Sequence, residues 1–344
     1  MVTTTASAGT TSPDRGLTGL VEGFREHRVR ALARAISLVE NRDPGVRELF
    51  DLLGDLGTAP LVIGLTGSPG TGKSTLADAI VSNVRRRGRS IAVIAVDPNS
   101  PFTGGAVFGD RIRMQRHALD EGVYIRSMGA RGHLGGLSIA CREAVRLLGA
   151  YGFQTVVLET VGVGQSELEI AGVADTTLVV LAPGLGDGVQ MIKAGIMEIA
   201  DAFIVNKADL PGYERTVQEI RSMLNMGPRL PWKPPIVATV AATGQGIDEL
   251  MNAVDRHSAF LESSGEGASR RASRLRDEAA DLVGEWARAS ARRLLDRDPQ
   301  LGNRLTEDGA PYRAAEAILR ERGASLVPST GGGRGEIKQK KAKS

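Results

Sequence analysis

The strongest constraint on the fold of this chain is the stretch GSPGTGKS at residues 67–74. It follows the apolar run LVIGLT and precedes the helix-like sequence KSTLADAIVSNVRRRG. Strand, glycine-rich loop and helix in this order form the P-loop, in which backbone N–H groups point at phosphate oxygens. Lys73 adds a positive charge beside the β and γ phosphates, and the Ser74 hydroxyl can ligate Mg²⁺. This context favours phosphate binding over an ordinary tight turn.

Short apolar runs recur after this loop and alternate with stretches of helix length. Such runs are typical of buried parallel strands whose sheet is covered by helices on both faces. The sequence therefore predicts an α/β fold of the P-loop NTPase type, with a mainly parallel sheet of about seven strands. The predicted strands are 61–66, 91–96, 123–128, 155–160, 177–182, 202–207 and 235–240.

Helical periodicity extends beyond the strand region on both sides. Residues 17–56 are predicted to form at least two helices, which are broken at Pro44 and Gly45. An Arg-rich amphipathic helix is predicted over 270–297, and a last helix over 311–322. The predicted organisation is a disordered N-terminus (1–15), an N-terminal helical region (16–57), a P-loop domain (58–261), a C-terminal helical arm (262–325) and a disordered basic tail (326–344).

Composition narrows the class of protein. The formal net charge is only +3, because 43 Lys and Arg residues are interleaved with 40 Asp and Glu residues, and this balance argues against nucleic-acid binding. The single cysteine, Cys141, excludes an internal disulfide and fits a reducing compartment. No apolar run approaches the length of a membrane span. We therefore expect a cytoplasmic protein that binds neither nucleic acid nor membrane.

The tetrapeptide NKAD at 206–209 follows a predicted strand and indicates the base. The Asp209 carboxylate can accept hydrogen bonds from N1–H and the exocyclic amine of guanine, whereas adenine would leave it unmatched at a cost of about 1–3 kcal/mol. Asn206 and Lys207 would brace the phosphate loop and stack along the base. Backbone amides around Ala241 and Ala242, after the last predicted strand, can approach the guanine carbonyl. Alone, NKAD would also fit an ordinary loop; in this context it favours guanine.

Carboxylates at strand ends provide candidate ligands for Mg²⁺. Asp97 ends the second predicted strand, and Glu159 lies at the end of the fourth. Asp110, in the sequence FGDRIRM, lies where a first switch segment would run, although a helix N-cap is an equally good interpretation. For Glu159 the alternative interpretation is an exposed or helix-capping residue. This interpretation is less favoured, because Glu159 directly follows the apolar run TVVL.

The sequence VGVGQ that follows the fourth predicted strand indicates a second switch. Gly162 and Gly164 permit a backbone amide to approach the γ-phosphate and to move away after hydrolysis. Gln165 is a weaker candidate for the group that orients the attacking water.

Taken together in their order and spacing, several motifs make the chain resemble the MeaB/ArgK family. These are GTPases associated with methylmalonyl-CoA mutase, and their class also holds signal-recognition-particle and metallochaperone GTPases. The resemblance covers about 17–325. The motifs that carry it are GSPGTGKST, VDPNSPFTGG, GDRIRM, ETVGVGQSE, NKAD and GQGIDEL.

The resemblance implies roles for residues that match the family motifs. Asp97, Asp110 and Glu159, with Ser74, would arrange Mg²⁺, and Asp209 would select guanine. Val240 stands where the family usually has serine, so a side-chain hydroxyl contact is lost in the loop Val240–Ala242. A further mobile segment would include Asp187, Gln190 and Lys193. The nucleotide phosphates would be bound by Thr66, Gly67, Ser68, Pro69, Gly70, Thr71, Gly72, Lys73, Ser74 and Thr75.

The same resemblance implies a homodimer that hydrolyses GTP, with GTP, GDP and Mg²⁺ as ligands. From their positions in the phosphate loop and at or after the end of the fourth predicted strand, Lys73, Glu159 and Gln165 are the predicted catalytic residues. Its partner would be a B12-dependent acyl-CoA mutase, for which it would gate adenosylcobalamin delivery and give protection. Rival interpretations are a nucleotide-dependent kinase or ATPase of a transport system, a nickel-delivery GTPase, and a guanine-nucleotide-binding scaffold. One cysteine and four scattered histidines fit nickel delivery poorly.

Overall fold

A computed structural model describes residues 14–97, 115–129, 136–160, 170–184, 197–227, 231–297, 311–313 and 315–316. The chain divides into two compact units between Glu278 and Ala279. The first unit contains the sheet and most of the helices. In the second unit, the described residues are helical.

A seven-stranded sheet forms the centre of the first unit. Its strands are β1 (Leu61–Thr66), β2 (Ile91–Asp97), β3 (Val123–Gly129), β4 (Thr155–Thr160), β5 (Thr176–Leu181), β6 (Ala202–Asn206) and β7 (Ile236–Thr239). Their order is β3-β2-β4-β1-β5-β6-β7, and every neighbouring pair is parallel. The predicted α/β fold is therefore confirmed. Strands β2, β3 and β4 lie on one side of β1, and β5, β6 and β7 lie on the other, so the strand order reverses beside β1. A ligand crevice is expected at such a reversal, at the carboxyl ends of the strands.

Helices cover both faces of this sheet. They are α1 (Asp14–Arg25), α2 (Val29–Glu40), α3 (Val46–Leu53), α4 (Lys73–Arg86), α5 (Gly136–Ala150), α6 (Tyr213–Met226) and α7 (Ile247–Ser263). A further helix, α8 (Glu266–Arg297), begins in the first unit and continues into the second. Successive strand residues point to opposite faces. Val62 accordingly packs in the cluster under α1–α3 and α5, whereas its neighbour Ile63 packs in the cluster under α4 and α7. None of the helices in the described ranges is both long and apolar enough to span a bilayer.

The N-terminal extension contains three helices. The predicted break at 41–45 is present, and a second break falls between α1 and α2. Both breaks contain a residue with left-handed backbone, His27 at φ 57° and Arg42 at φ 54°. The second break was not predicted because residues 26–28 contain neither Gly nor Pro. Glu40, at the end of α2, ties this extension to the sheet by accepting hydrogen bonds from Arg126 at 2.7 Å and from the Gly129 amide at 3.1 Å.

The long C-terminal helix α8 begins at Glu266, four residues before its predicted start. The apolar stripe of this amphipathic helix is predicted at Leu275, Ala279, Leu282, Val283, Trp286 and Leu294. Val283 and Trp286 are exposed, with relative exposures of 51% and 59%. Arg270 and Arg274 attach its first turns to the sheet through Asp201 and Asp175. The predicted last helix at 311–322 lies mostly outside the described residues.

Candidate nucleotide-binding site

The predicted site residues that the structure describes lie along one edge of the sheet. Because all strands are parallel, their carboxyl ends meet there. The phosphate loop follows β1, NKAD follows β6, and Val240–Ala242 follows β7. Glu159 is the last residue but one of β4. Topology alone therefore gathers motifs that are far apart in sequence.

Two glycines fix the path of the phosphate loop. Gly67 has φ +143°, and a Cβ at this position would lie 2.2 Å from the carbonyl oxygen of Val180. Gly72 has φ +91°, and a Cβ there would lie 2.5 Å from Nδ2 of Asn206. Each position combines a backbone conformation that favours glycine with a close contact, so no larger residue fits without a shift.

Lys73 is the first residue of α4 and is held inside the loop. Its side chain donates hydrogen bonds to the carbonyl oxygens of Gly67 at 2.6 Å and Ser68 at 3.1 Å. The residue is only 6% exposed. Its positive charge therefore lies at the helix N-terminus, where the aligned backbone N–H groups also favour an anion.

Ser74 and Glu159 bring two oxygen donors together beside the loop. The Ser74 hydroxyl donates to Oε1 of Glu159 at 2.5 Å, and Glu159 is only 4% exposed. A hydroxyl and a carboxylate are hard oxygen ligands of the kind that Mg²⁺ prefers, so this pair fits the ion. Asp97 ends the neighbouring strand β2, but its side chain lies outside the described residues.

Asn206 links the phosphate loop to the base-side loops. Its Nδ2 donates to the Thr71 carbonyl at 2.8 Å, and its Oδ1 accepts from the Thr239 hydroxyl and the Ala241 amide, both at 3.1 Å. With 2% exposure and bonds on both amide atoms, Asn206 positions other groups. The Thr239 contact was missed at the sequence level because nothing in a strand-terminal threonine signals a partner 33 residues away.

The next residues turn sharply out of β6. Lys207 has φ 58°, which is rare for a residue other than glycine, and its side chain donates to the Gly70 carbonyl at 2.8 Å. The Ala208 amide donates to the Thr239 carbonyl at 3.0 Å. Asp209 is exposed, and none of the described residues donates a hydrogen bond to its carboxylate. The turn therefore presents this carboxylate outward at the ligand edge.

The loop after β7 supplies one candidate backbone donor. The sequence predicted that the amides around Ala241 and Ala242 approach the guanine carbonyl. The Ala241 amide instead donates a hydrogen bond to Asn206. Ala242 is exposed, and its amide bonds to no other described residue. Val240 is buried, and its carbonyl accepts from the amides of Thr243 and Gly244, both at 3.0 Å.

Several predicted residues lie outside the part of the chain that the structure describes. They are Asp110, Gly162, Gly164, Gln165, Asp187, Gln190 and Lys193.

Residues 32–293 match the sequence pattern of the family described as Methylmalonyl Co-A mutase-associated GTPase MeaB. The chain belongs to the MeaB family. A Pyrococcus horikoshii protein that carries the name of a GTPase is 45% identical over 305 residues, which are 87% of this chain and 96% of that protein. The mouse protein named methylmalonic aciduria type A homolog, mitochondrial, is 35% identical over 277 residues, 75% of this chain and 66% of that protein.

A solved structure supports the MeaB-family fold. A crystal structure described as a LAO/AO transport system kinase superposes with a TM-score of 0.65 and 28% identity, over 91% of this chain and 99% of that one. The sheet and the P-loop of the MeaB-family chain therefore have a close structural counterpart. Membership in a family of GTPases also implies that the chain binds a guanine nucleotide.

Proposed function

We propose that this MeaB-family chain hydrolyses GTP and serves as a chaperone of a B12-dependent acyl-CoA mutase of the methylmalonyl-CoA mutase type. It would gate cofactor delivery to the mutase and protect it. The observation that carries the nucleotide part is the Asn206 bridge, which joins the phosphate loop to the turn that presents Asp209. The family description carries the mutase part.

Each described site residue has a proposed task. Lys73 and the loop amides would bind the phosphates, Asp209 would accept from the guanine N1–H and amine, and the Ala242 amide would donate to the guanine carbonyl. Ser74 and Glu159 would hold Mg²⁺ with Asp97 and Asp110. The ion neutralises charge that develops on the β and γ phosphates. Gln165 would orient the attacking water.

The nucleotide would act as a timer for partner binding. Hydrolysis can change partner affinity only if the partner binds the GTP and GDP states differently. Gly162 and Gly164, and the segment with Asp187, Gln190 and Lys193, would carry that difference. The exposed Val283 and Trp286 on α8 would face a second copy in a homodimer, because exposed apolar side chains on one helix favour association. We place the protein in the cytoplasm.

A calorimetric titration with GDP and ADP tests the nucleotide assignment. In the Asp209→Asn variant the GDP affinity should fall by about 10–100-fold, since a matched acceptor is lost. The same variant should gain affinity for xanthosine diphosphate, whose C2 carbonyl can accept from an amide. Asp277→Asn, at an exposed position on α8, is the matched control and should behave as the unchanged chain.

The outcomes separate the candidate functions. Equal or tighter ADP binding would refute the guanine assignment and favour the kinase or ATPase function suggested by the name of the similar crystal structure. If guanine binding holds, the chain should co-elute with a methylmalonyl-CoA mutase, and the amount bound should differ between GDP and a non-hydrolysable GTP analogue. Equal binding of the mutase with GDP and with the GTP analogue would contradict the proposed role of the nucleotide as a timer.

A further inference from the structure

Thr239, the last residue of β7, bonds to both sides of the turn that presents Asp209, and it is not among the residues with a proposed task. Its hydroxyl donates to Oδ1 of Asn206 at 3.1 Å, before the turn, and its carbonyl oxygen accepts from the Ala208 amide at 3.0 Å, within the turn. The residue is 0% exposed, so water does not compete for these contacts. Because Thr239 is paired with Asn206 in the strand register, both contacts begin at the last paired position of β6 and β7.

The turn between these two contacts has a strained backbone. Lys207 lies within it and has φ 58°, a left-handed conformation that residues other than glycine rarely adopt. Such a conformation persists only where the surrounding structure holds it in place. The Lys207 side chain is bonded to the Gly70 carbonyl on the side of the phosphate loop, and Thr239 provides the buried contact on the side of the sheet. Thr239 therefore helps to fix the direction in which the chain continues to Asp209.

The Thr239 hydroxyl also stabilises one orientation of the Asn206 amide. A backbone amide can only donate, so the Ala241 amide, at 3.1 Å, requires the oxygen of the Asn206 side chain on its side. The Thr239 hydroxyl donates to the same oxygen. With its oxygen held by two donors, the Asn206 side chain directs its nitrogen at the Thr71 carbonyl of the phosphate loop. The hydroxyl thus supports the orientation that joins the base-side turn to the phosphate loop.

We propose that Thr239 is a positioning residue for the selection of guanine. By bonding to Asn206 and Ala208, it holds the Asp209 carboxylate where it accepts from both N1–H and the exocyclic amine of guanine. A displaced carboxylate can keep one of two parallel hydrogen bonds by rotating, but not both, since paired bonds require direction as well as distance. The proposal rests on the proposed recognition of guanine by Asp209 and adds the residue that makes this recognition selective.

Thr155 provides a matched control. It is also a buried threonine at the end of a strand, with 1% exposure, but it is the first residue of β4 and lies at the amino edge of the sheet. None of the described residues bonds to its hydroxyl oxygen. Thr155→Val therefore makes the same replacement of a hydroxyl by a methyl group without a change at the nucleotide edge.

The experiment is a calorimetric titration of the full-length chain with GDP and with inosine diphosphate, whose base lacks the exocyclic amine. Thr239→Val keeps the carbonyl contact and the branched shape but leaves the Asn206 oxygen with one donor, and we expect GDP affinity to fall about tenfold. Affinity for inosine diphosphate should fall only about threefold, because one hydrogen bond to the carboxylate can be kept, so the preference for GDP narrows about threefold. Thr239→Ser retains the hydroxyl and should restore both affinities to within about twofold. Thr155→Val should bind both nucleotides as the unchanged chain does.

A narrowed preference for GDP in Thr239→Val that Thr239→Ser restores, with Thr155→Val unchanged, supports the proposal. If the affinities for both nucleotides fall by the same factor, or neither falls, Thr239 does not set the preference and the proposal is wrong. Failure of Thr239→Ser to restore the preference would also overturn it, since the effect would then come from packing. If Thr239→Val does not fold, Thr239→Ala and Thr239→Ser differ by the hydroxyl alone and give the same comparison. An unchanged chain that binds ADP as tightly as GDP would instead remove the guanine assignment, and this proposal with it.

Discussion

Two aspartates at opposite ends of β6 have different surroundings: Asp209 follows the strand, at the carboxyl edge of the sheet, and Asp201 precedes it, at the amino edge. At the carboxyl edge, Asp209 is exposed and no described residue bonds to its carboxylate. At the amino edge, Asp201 is 6% exposed and its carboxylate meets three partners. Arg270 donates to Oδ1 at 3.1 Å, His257 Nε2 lies 3.2 Å from the same oxygen, and the Thr177 amide donates to Oδ2 at 2.9 Å.

The amino edge also anchors the start of α8. Arg274, one turn after Arg270, donates to Asp175 at 2.9 Å, and Asp175 in turn accepts from the Val62 amide at 3.0 Å. Glu278, one further turn along, pairs with Arg146 at 2.5 Å. Residues spaced by four share one helix face, so the face of α8 that carries Arg270, Arg274 and Glu278 is attached to the first unit by ion pairs. The aspartates at the amino edge are therefore paired with other residues of the chain, whereas the Asp209 carboxylate at the carboxyl edge has no hydrogen-bond donor among the described residues.

The strongest test of this contrast is Asp201→Asn. Removing one partner of a buried ion pair typically costs about 3–5 kcal/mol. The lower end of this range applies here, because Asp201 is buried but the side chain of its partner Arg270 is 33% exposed. We expect a loss of about 3 kcal/mol in the free energy of unfolding, measured with urea, and no change in GDP affinity. Asp209→Asn should show the reverse pattern. A weakened GDP affinity in folded Asp201→Asn would mean that the two edges are coupled.

The effect of Asp201→Asn should depend on pH. Burial alone raises the pKa of Asp201, but the contact and charge of His257, the charge of Arg270 and the Thr177 amide outweigh it, so the pKa lies below its ordinary value. A carboxylate with a lowered pKa in the folded state stabilises the fold above its unfolded pKa of about 3.9. That stability is lost as the pH falls through the folded pKa. The stability difference between the unchanged chain and the variant should therefore shrink below about pH 4.

The fold and the carboxyl edge were largely predictable, whereas the amino edge was not. Strand runs and the P-loop have local signatures, and NKAD lies at a strand end where parallel topology places it. Asp201, His257 and Arg270 come from three separate elements, and no spacing relates them. The contact in which Arg116 Nε donates to Asp78 Oδ1 at 2.9 Å was not predicted for the same reason, since the two residues are 38 positions apart and each is ordinary in its own segment.

A smaller effect is expected from Gly72→Ala, which tests how closely the phosphate loop depends on Asn206. The added Cβ would lie 2.5 Å from Asn206 Nδ2 in a backbone at φ +91°, so the Asn206–Thr71 hydrogen bond should be displaced. We expect GDP affinity to fall by about tenfold, equivalent to about 1.4 kcal/mol.

Gly88→Ala is the control for Gly72→Ala, because its φ is +74° and a Cβ there meets nothing within 4 Å. It carries the backbone strain, of about 1 kcal/mol, without the clash. Its GDP affinity should match that of the unchanged chain, while both variants lose stability. Equal GDP binding by the two variants would show that the close contact with Asn206 is unimportant for the site.

The smallest effect is expected from Val240→Ser, which places a side-chain hydroxyl where the resemblance to the MeaB/ArgK family implies one. The loop after β7 is closed by backbone contacts, since the Val240 amide donates to the Gln245 carbonyl at 3.0 Å and its carbonyl accepts from Thr243 and Gly244. The Thr239 hydroxyl already bonds Asn206. A serine would add little to a loop held in this way. GDP affinity should therefore stay within about threefold, which is less than 1 kcal/mol.

Stability should respond more than affinity to Val240→Ser. The valine side chain is buried, and losing its apolar contacts should lower the free energy of unfolding by about 1–2 kcal/mol. Calorimetry with GDP and urea unfolding of the same preparation separate the two effects. A tenfold gain in GDP affinity would show that the missing hydroxyl limits this chain. In that case the contacts of Asn206 and the exposed Ala242 amide would not be sufficient for full guanine affinity, and a hydroxyl at position 240 would contribute to it.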